Sequence, residues 1–182
     1  GALAALGHAC RGRLGELVIS STYHVSQNEP WGSHWDTDHG WSSALLEVSH
    51  YGERYTRHEK VAAILGDPLA KRHLRVCWEN RASAGNCGEC EKCCRTLLQI
   101  QVLGGRLEDW PFGGSGSLAS RLDAVASVHP YQIPAYATML PALRSEPELT
   151  AAVEALIGRA RDPWEVREER LRRRNERRAQ VG

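Results

Sequence analysis

Four cysteines, Cys77, Cys87, Cys90 and Cys93, follow one another as C-x9-C-x2-C-x2-C, and no other feature of this chain limits its fold as much. Each C-x2-C step lets two thiolates face one point from a tight turn. A fourth thiolate arriving from a preceding strand closes a tetrahedron, the geometry of a structural zinc site. Gly85, Asn86 and Gly88 loosen the backbone where such a knuckle must turn. Buried or disulfide-bonded thiols are the competing reading. Three cysteines within the seven residues 87–93 are too crowded to be independent core residues. The spacing alone also admits an iron–sulfur cluster.

Cys94 directly follows Cys93, and adjacent residues do not readily point at one metal. Cys94 is therefore expected to be a small apolar residue on the next helix. Cys10 is expected to pack rather than react. No secretory-signal pattern is present. Clustered metal-type spacing with two spare thiols fits a reducing compartment, the cytoplasm, better than a disulfide scaffold.

A length of 182 residues suits one domain with appendages, or two small ones. No uninterrupted apolar run approaches the roughly 20 residues that a membrane helix needs. The net charge of +1 is unevenly spread. Arg159 to Gly182 holds nine arginines against five acids, a surplus of four positive charges, which leaves −3 for the rest. The chain opens on Gly1 and its single methionine is Met139, so a longer or processed natural protein is expected.

Leu3 to Cys10 reads as a helix end and Leu17-Val18-Ile19 as a buried strand, which together suggest an α/β unit. Residues 20–43 (SSTYHVSQNEPWGSHWDTDHGWSS) form a long polar and aromatic loop of the kind that often carries function. Leu45 to His50 fits a second strand. Thr56-x-x-Glu59 is a capping box that opens a helix, which Gly66-Asp67-Pro68 stops. His73 to Trp78 is expected to be a strand that delivers Cys77 to the metal, and Glu91 to Leu103 a helix after the knuckle. Residues 110–117 (WPFGGSGS) read as a linker. Beyond it, helices are expected over Leu118–Val128, Pro134–Leu143 and Glu146–Arg159. Asp162-Pro163-Trp164-Glu165 begins a final one.

Taken in order, these pieces resemble the zinc-containing branch of the PP-loop ATP pyrophosphatases, or adenine nucleotide alpha-hydrolase-like proteins, of which 7-cyano-7-deazaguanine synthase is a relative. The matching residues are Leu17 to Ser21, the loop Thr22 to Ser43, Thr56-Arg57-His58-Glu59-Lys60, His73 to Trp78, and Asn86-Cys87-Gly88-Glu89-Cys90-Glu91-Lys92-Cys93-Cys94-Arg95. They span roughly residues 3–105, and the knuckle is the specific part. The resemblance implies the C-terminal part of a parallel-sheet, Rossmann-like (HUP-type) α/β domain over residues 1–109, with a zinc knuckle at 77–95 and an all-helical tail over 118–182. It also implies ATP with Mg2+ in the full-length protein, adenylation of a small-molecule substrate with release of pyrophosphate, and displacement of AMP by a nitrogen or sulfur nucleophile. Two departures stand out. The family's Ser-Gly-Gly-x-Asp-Ser loop is absent, and Gly113-Gly114-Ser115-Gly116-Ser117 lacks its aspartate and follows no apolar strand. That half of the domain would lie upstream of Gly1, and this chain alone is expected to be inactive. The long loop also differs from that of the synthase, so deazapurine chemistry does not carry over.

The loop holds His24, His34, Asp36, Asp38 and His39 beside Trp31, Trp35 and Trp41. One reading is a substrate pocket in which aromatics stack on a planar group while carboxylates and imidazoles bind polar edges or move protons. A His/Asp metal site is a variant of it. The other reading is an irregular loop anchored by its tryptophans. Arg57 and Lys60 oppose the helix dipole, which leaves phosphate binding or plain solvation as their task. Arg95 stands where the family carries an arginine; it either reaches a phosphate or pairs with Glu89 or Glu91. The candidate substrate-binding residues are thus His34, Asp36, Asp38, Arg57, Lys60 and Arg95, with no catalytic residue assigned. The arginine-rich tail could track a nucleic-acid backbone, but its interspersed glutamates favour a solvated or partner-binding helix. The alternative for the whole chain is a non-catalytic zinc module whose basic helix binds RNA or protein.

Overall fold

A computed structural model describes residues 1–27, 32–79, 85–126 and 128–180; Trp31 lies outside them. The chain forms two compact units, Gly1–Ala63 and Ile64–Gly182.

In the first unit, α1 (Ala2–Ala9) precedes β1 (Glu16–Ser20), which pairs in parallel with β2 (Glu47–Tyr51) from Glu16↔Glu47 to Ser20↔Tyr51. The chain is thus mixed α/β with a two-stranded parallel sheet. Parallel strands need a long crossover, usually helical. Here the crossover is the polar loop, whose regular pieces among the described residues are short 3-10 turns at Val25–Gln27 and Asp38–Trp41. Ile19, Leu46 and Val48 are buried, with Leu17 packed beside them. α1 fits closely because Gly7 has no side chain: a Cβ there would sit 2.9 Å from Leu17 and 3.0 Å from Leu46.

The capping box forms as expected. Thr56 N–H donates to Glu59 Oε2 at 2.7 Å, and Glu59 N–H donates to Thr56 Oγ1 at 3.2 Å, opening α2 (Arg57–Ile64). The Thr56 hydrogen bonds hold the Glu59 carboxyl below its ordinary range. The reciprocal cap is therefore complete above the unfolded carboxylate pKa and is lost as pH falls through the lowered one.

Gly66-Asp67-Pro68 does more than stop α2, because it also starts α3 (Pro68–His73). Asp67 is the N-cap and its Oδ1 accepts from Leu69 N–H at 2.7 Å and Ala70 N–H at 3.1 Å, with Pro68 in the first turn. Asp67→Ala is expected to cost about 1 kcal/mol in urea unfolding, the usual worth of such a cap.

α4 (Glu91–Val102), α5 (Leu118–Asp123), α6 (Ile133–Ala137), α7 (Pro147–Ala160) and α8 (Trp164–Ala179) complete the second unit. The helix expected over Pro134–Leu143 is divided: α6 ends at Ala137, and a 3-10 turn over Leu140–Leu143 follows, with Pro141 in its first turn lacking the N–H that an α-helix would use. Leu149, Val153, Leu156 and Ala160 form the helical stripe of α7, buried against Cys94, Leu97 and Leu98 of α4 and Leu118 and Leu122 of α5. The knuckle helix and the helical tail therefore share one core.

Residues 110–117, expected to be a linker, are packed between them. Trp110 is buried, Phe112 packs against the core, and Arg121 donates to the carbonyls of Gly113 at 3.0 Å, Gly114 at 3.3 Å and Gly116 at 3.2 Å. Ser117 then caps α5 through Ser120 N–H.

Candidate metal centre

Two chain segments deliver the four thiols. Cys77 lies in an extended stretch after α3, without the expected strand over His73–Trp78: His73 closes α3, and residues 74–77 join no ladder among the described residues. The Asn86 side chain supplies the backbone partners that a neighbouring strand would have supplied. Its Oδ1 accepts from Val76 N–H at 2.8 Å and Cys77 N–H at 3.0 Å, and its Nδ2 donates to the carbonyls of Leu74 at 2.7 Å and Pro111 at 2.9 Å. With all its hydrogen-bonding capacity used, Asn86 can be buried without penalty.

The other three thiols come from the knuckle and the start of α4. Gly88 adopts φ 72°, which directs the N–H groups of Glu89 (3.5 Å) and Cys90 (3.3 Å) at Cys87 Sγ. Cys90 is the N-cap of α4 and Cys93 sits in its first turn, where the helix dipole favours negative charge.

All four sulfurs lie within 4.8 Å of one another, with Cys87–Cys93 and Cys77–Cys90 at 3.9 Å. A disulfide requires about 2.05 Å. A tetrahedral site with metal–sulfur bonds of about 2.3 Å has sulfur–sulfur edges of about 3.8 Å. The cluster matches the second geometry, and the four cysteines could hold one metal ion. Cys77, Cys90 and Cys93 are buried and Cys87 is half-buried.

The electrostatics agree with a cation site. A hydrogen bond shared with Cys93 lowers the Cys90 thiol to about 5, helped by the Cys93 N–H and by the thiols of Cys87 and Cys77. The same shared bond, then burial, pushes Cys93 far up, and burial raises Cys87. Without a cation the cluster favours one thiolate among thiols, because further negative charges at this distance repel. A divalent ion would reverse that preference.

Cys94 is fully buried in the apolar core, its thiol 3.6 Å from the Gly88 carbonyl and pushed up to about 12 by burial. It belongs to the core, as its position after Cys93 suggested. Cys10, expected to pack, is exposed just past α1.

The remaining candidates separate. Arg95 is in the second unit, buried, with Nε 3.2 Å from Glu91 Oε1, which also accepts from the buried Tyr136 hydroxyl at 2.9 Å. Of the pairing and phosphate readings, this contact corresponds to the first. In the first unit, Lys60 Nζ donates to the Ser21 carbonyl at 3.0 Å, and burial lowers its pKa. Arg57 opens the same helix one turn earlier.

His34 and Asp38 line an open cleft of about 410 Å³ with Thr37 and Trp41, whereas Asp36 is exposed, its N–H donating to His34 Nδ1 at 3.2 Å. Trp35 and Trp41 are exposed, so neither anchors the loop in a core. No His/Asp metal group forms among the described residues. His50, which the sequence reading passed over, pairs with Asp38 at 2.7 Å. Its partner lies 12 residues away in sequence, so no local pattern marked it.

The architecture thus defines a mixed α/β chain with a four-cysteine cluster at the head of a buried helix. Protein-family models, curated proteins and solved structures return no match to this chain. Among the described residues no helix is long and apolar enough to cross a membrane.

Proposed function

We propose that this chain is the C-terminal portion of a cytoplasmic ATP-dependent enzyme of the PP-loop type, stabilised by one zinc ion on Cys77, Cys87, Cys90 and Cys93. The observation that supports it is the succession of elements: parallel strand, long polar crossover, parallel strand, capped helix, then a four-cysteine cluster ahead of an arginine one turn into the next helix. Four thiolates leave no open position on zinc, so the metal is structural and not a Lewis acid. The two-stranded sheet would be part of a larger Rossmann-like, HUP-type sheet.

On this reading the enzyme adenylates a small molecule, releases pyrophosphate and lets a nitrogen or sulfur nucleophile displace AMP. Backbone amides at a Gly-rich turn and a helix N-terminus cradle phosphates in such sites. In the glycine-rich segment of this chain it is carbonyl oxygens of Gly113, Gly114 and Gly116 that are engaged, by Arg121. The 182-residue chain is therefore expected neither to bind Mg-ATP tightly nor to release pyrophosphate, while the full-length protein does both. Calorimetry and a pyrophosphate-release assay on each test this, and turnover by the shorter chain would refute the assignment. Anaerobically purified protein should be colourless with one zinc per chain; brown protein with stoichiometric iron would replace zinc by a cluster.

The second reading is a non-catalytic zinc module whose basic helix binds RNA or protein. Against it, Arg170 pairs with Asp162, Arg172 and Arg173 with Glu169, and Arg174 with Glu79, so these arginines already face carboxylates. RNA affinity with a steep salt slope, abolished by deleting residues 167–182, would establish it instead.

A further inference from the structure

A charge taken out of water is costly unless hydrogen bonds and an opposite charge compensate it. Arg167, at the start of α8, departs from that rule. It is 8% exposed, and its Nε is sealed from solvent without a hydrogen-bond partner. Among the described residues no hydrogen bond or ion pair reaches its guanidinium. Arg170, Arg172, Arg173 and Arg174 of the same helix all face carboxylates. The contact Arg167 does make is with an aromatic ring: its guanidinium carbon stands 5.5 Å from the ring centre of Trp164. Such stacking leaves the in-plane N–H groups available to donate. Nε alone of its nitrogens is sealed, so the terminal pair reaches solvent.

The first turn of α8 adds donors of its own. Helical side chains lean toward the N-terminus, and the Trp164 contact sets the Arg167 guanidinium over that turn. The Arg167 N–H donates to the Pro163 carbonyl at 3.1 Å. The N–H groups of Trp164, Glu165 and Val166 donate to no group among the described residues. A capping carboxylate ordinarily satisfies one of them. Asp162 stands where such a cap belongs, yet its Oδ2 is engaged by Arg170 instead. Glu165 is exposed and forms no ion pair among the described residues. The positive end of a 16-residue helix and an uncompensated guanidinium thus share one turn.

We propose that the N-terminal turn of α8 is a binding site for a phosphate group. The two terminal nitrogens of Arg167 donate to two of its oxygens and the free amides of the turn to a third. A carboxylate suits this donor set less well, because the arginine fork alone engages both of its oxygens. Trp164 and Val166, 53% and 44% exposed, border the turn and give an apolar footing to whatever carries the phosphate. Two carriers share this chemistry, a free small phosphate and a phosphorylated side chain of a partner. The site lies in the second unit, away from the parallel strands, and does not depend on the ATP-dependent reading.

The test titrates the 15N-labelled 182-residue chain with sodium phosphate, against sodium chloride of equal ionic strength. In nitrogen–proton correlation spectra the Arg167 Nε–H signal and the amide signals of Trp164, Glu165 and Val166 should shift together and saturate with phosphate only. Arg167→Met keeps the buried stem and removes the charge, and should weaken binding by roughly tenfold or more. Arg167→Lys, which keeps the charge without the fork, should weaken it less. Phosphate should also raise the urea midpoint of the wild-type chain and leave that of Arg167→Met unmoved. A phosphoserine peptide that binds more tightly than inorganic phosphate, when its unphosphorylated form does not bind, assigns the site to a phosphorylated partner; equal affinities assign it to a free phosphate. Wild-type shifts that do not saturate overturn the proposal. So do equal affinities of wild type and Arg167→Met, because Arg167 would then be a packing residue offset by the Trp164 ring alone. The wild-type titration decides even where a variant fails to fold.

Discussion

Cys90→Ser is expected to strip the chain of its metal and to lower the stability of the second unit by more than about 4 kcal/mol, since structural zinc binding in small sites contributes about 10–16 kcal/mol of apparent free energy and is coupled to folding. Cys90 is the most affected position for three reasons. It stands at the N-terminus of α4, the hydrogen bond shared with Cys93 lowers its thiol to about 5, and it is buried beside Cys77 and Cys93. Serine suits the N-terminal position of α4 but is a poor ligand for a soft cation site. Cys94→Ala provides the contrast. It removes a buried thiol from the apolar core and should cost about 1–2 kcal/mol, yet retain full zinc content. Elemental analysis of the purified variants with urea unfolding of each reads both quantities. Equal metal loss in the two would mean that the ligand set is wrongly drawn.

Gly88→Ala is expected to be nearly as damaging without touching a ligand. At φ 72° the residue is in the left-handed region, and a Cβ would stand 1.8 Å from the Gly113 carbonyl oxygen and 2.6 Å from its carbon. Both atoms are backbone, held by the Gly113 N–H to Asn86 carbonyl bond of 2.9 Å, so no side chain can swing away. Left-handed strain and forced backbone displacement together should cost about 3–5 kcal/mol and reduce zinc content by spoiling the aim of the Glu89 and Cys90 amides. At Gly113 a Cβ would meet its nearest atom at 3.4 Å, so Gly113→Ala should cost about 1 kcal/mol or less. Similar unfolding midpoints for the two variants would contradict the close approach of residues 88 and 113.

Features written in local pattern were legible beforehand. The capping box at Thr56, the apolar runs that became β1 and β2, the ligand spacing and the exclusion of Cys94 all depend on residues within a few positions of one another. What escaped depended on distant partners. Residues 73–78 look like a strand because Val76 and Cys77 sit among apolar neighbours, but the groups that satisfy their amides belong to one asparagine side chain nine and ten residues on. The glycines of 110–117 look like a flexible connector because nothing nearby shows that Arg121 will gather three of their carbonyls. His50 drew no notice because a histidine at a strand end is unremarkable until Asp38 is found against it. Asp67 was legible as punctuation, though the same carboxylate that follows one helix end also caps the next start.

The shared core of α4, α5 and α7 bears on how this protein can be dissected. Leu97 and Leu98 are 1% and 0% exposed, and most of the buried side chains that share their cluster come from beyond residue 117. A cut in the glycine-rich segment, the obvious place for an expression boundary, would leave the cysteine cluster at the head of a helix whose apolar face has lost its cover. Such a piece would hold its metal ligands and still be poorly soluble. The smallest piece suited to spectroscopy of the metal centre therefore extends from α3 through α7, and shorter zinc-knuckle peptides would report on the ligands without the protein that orients them.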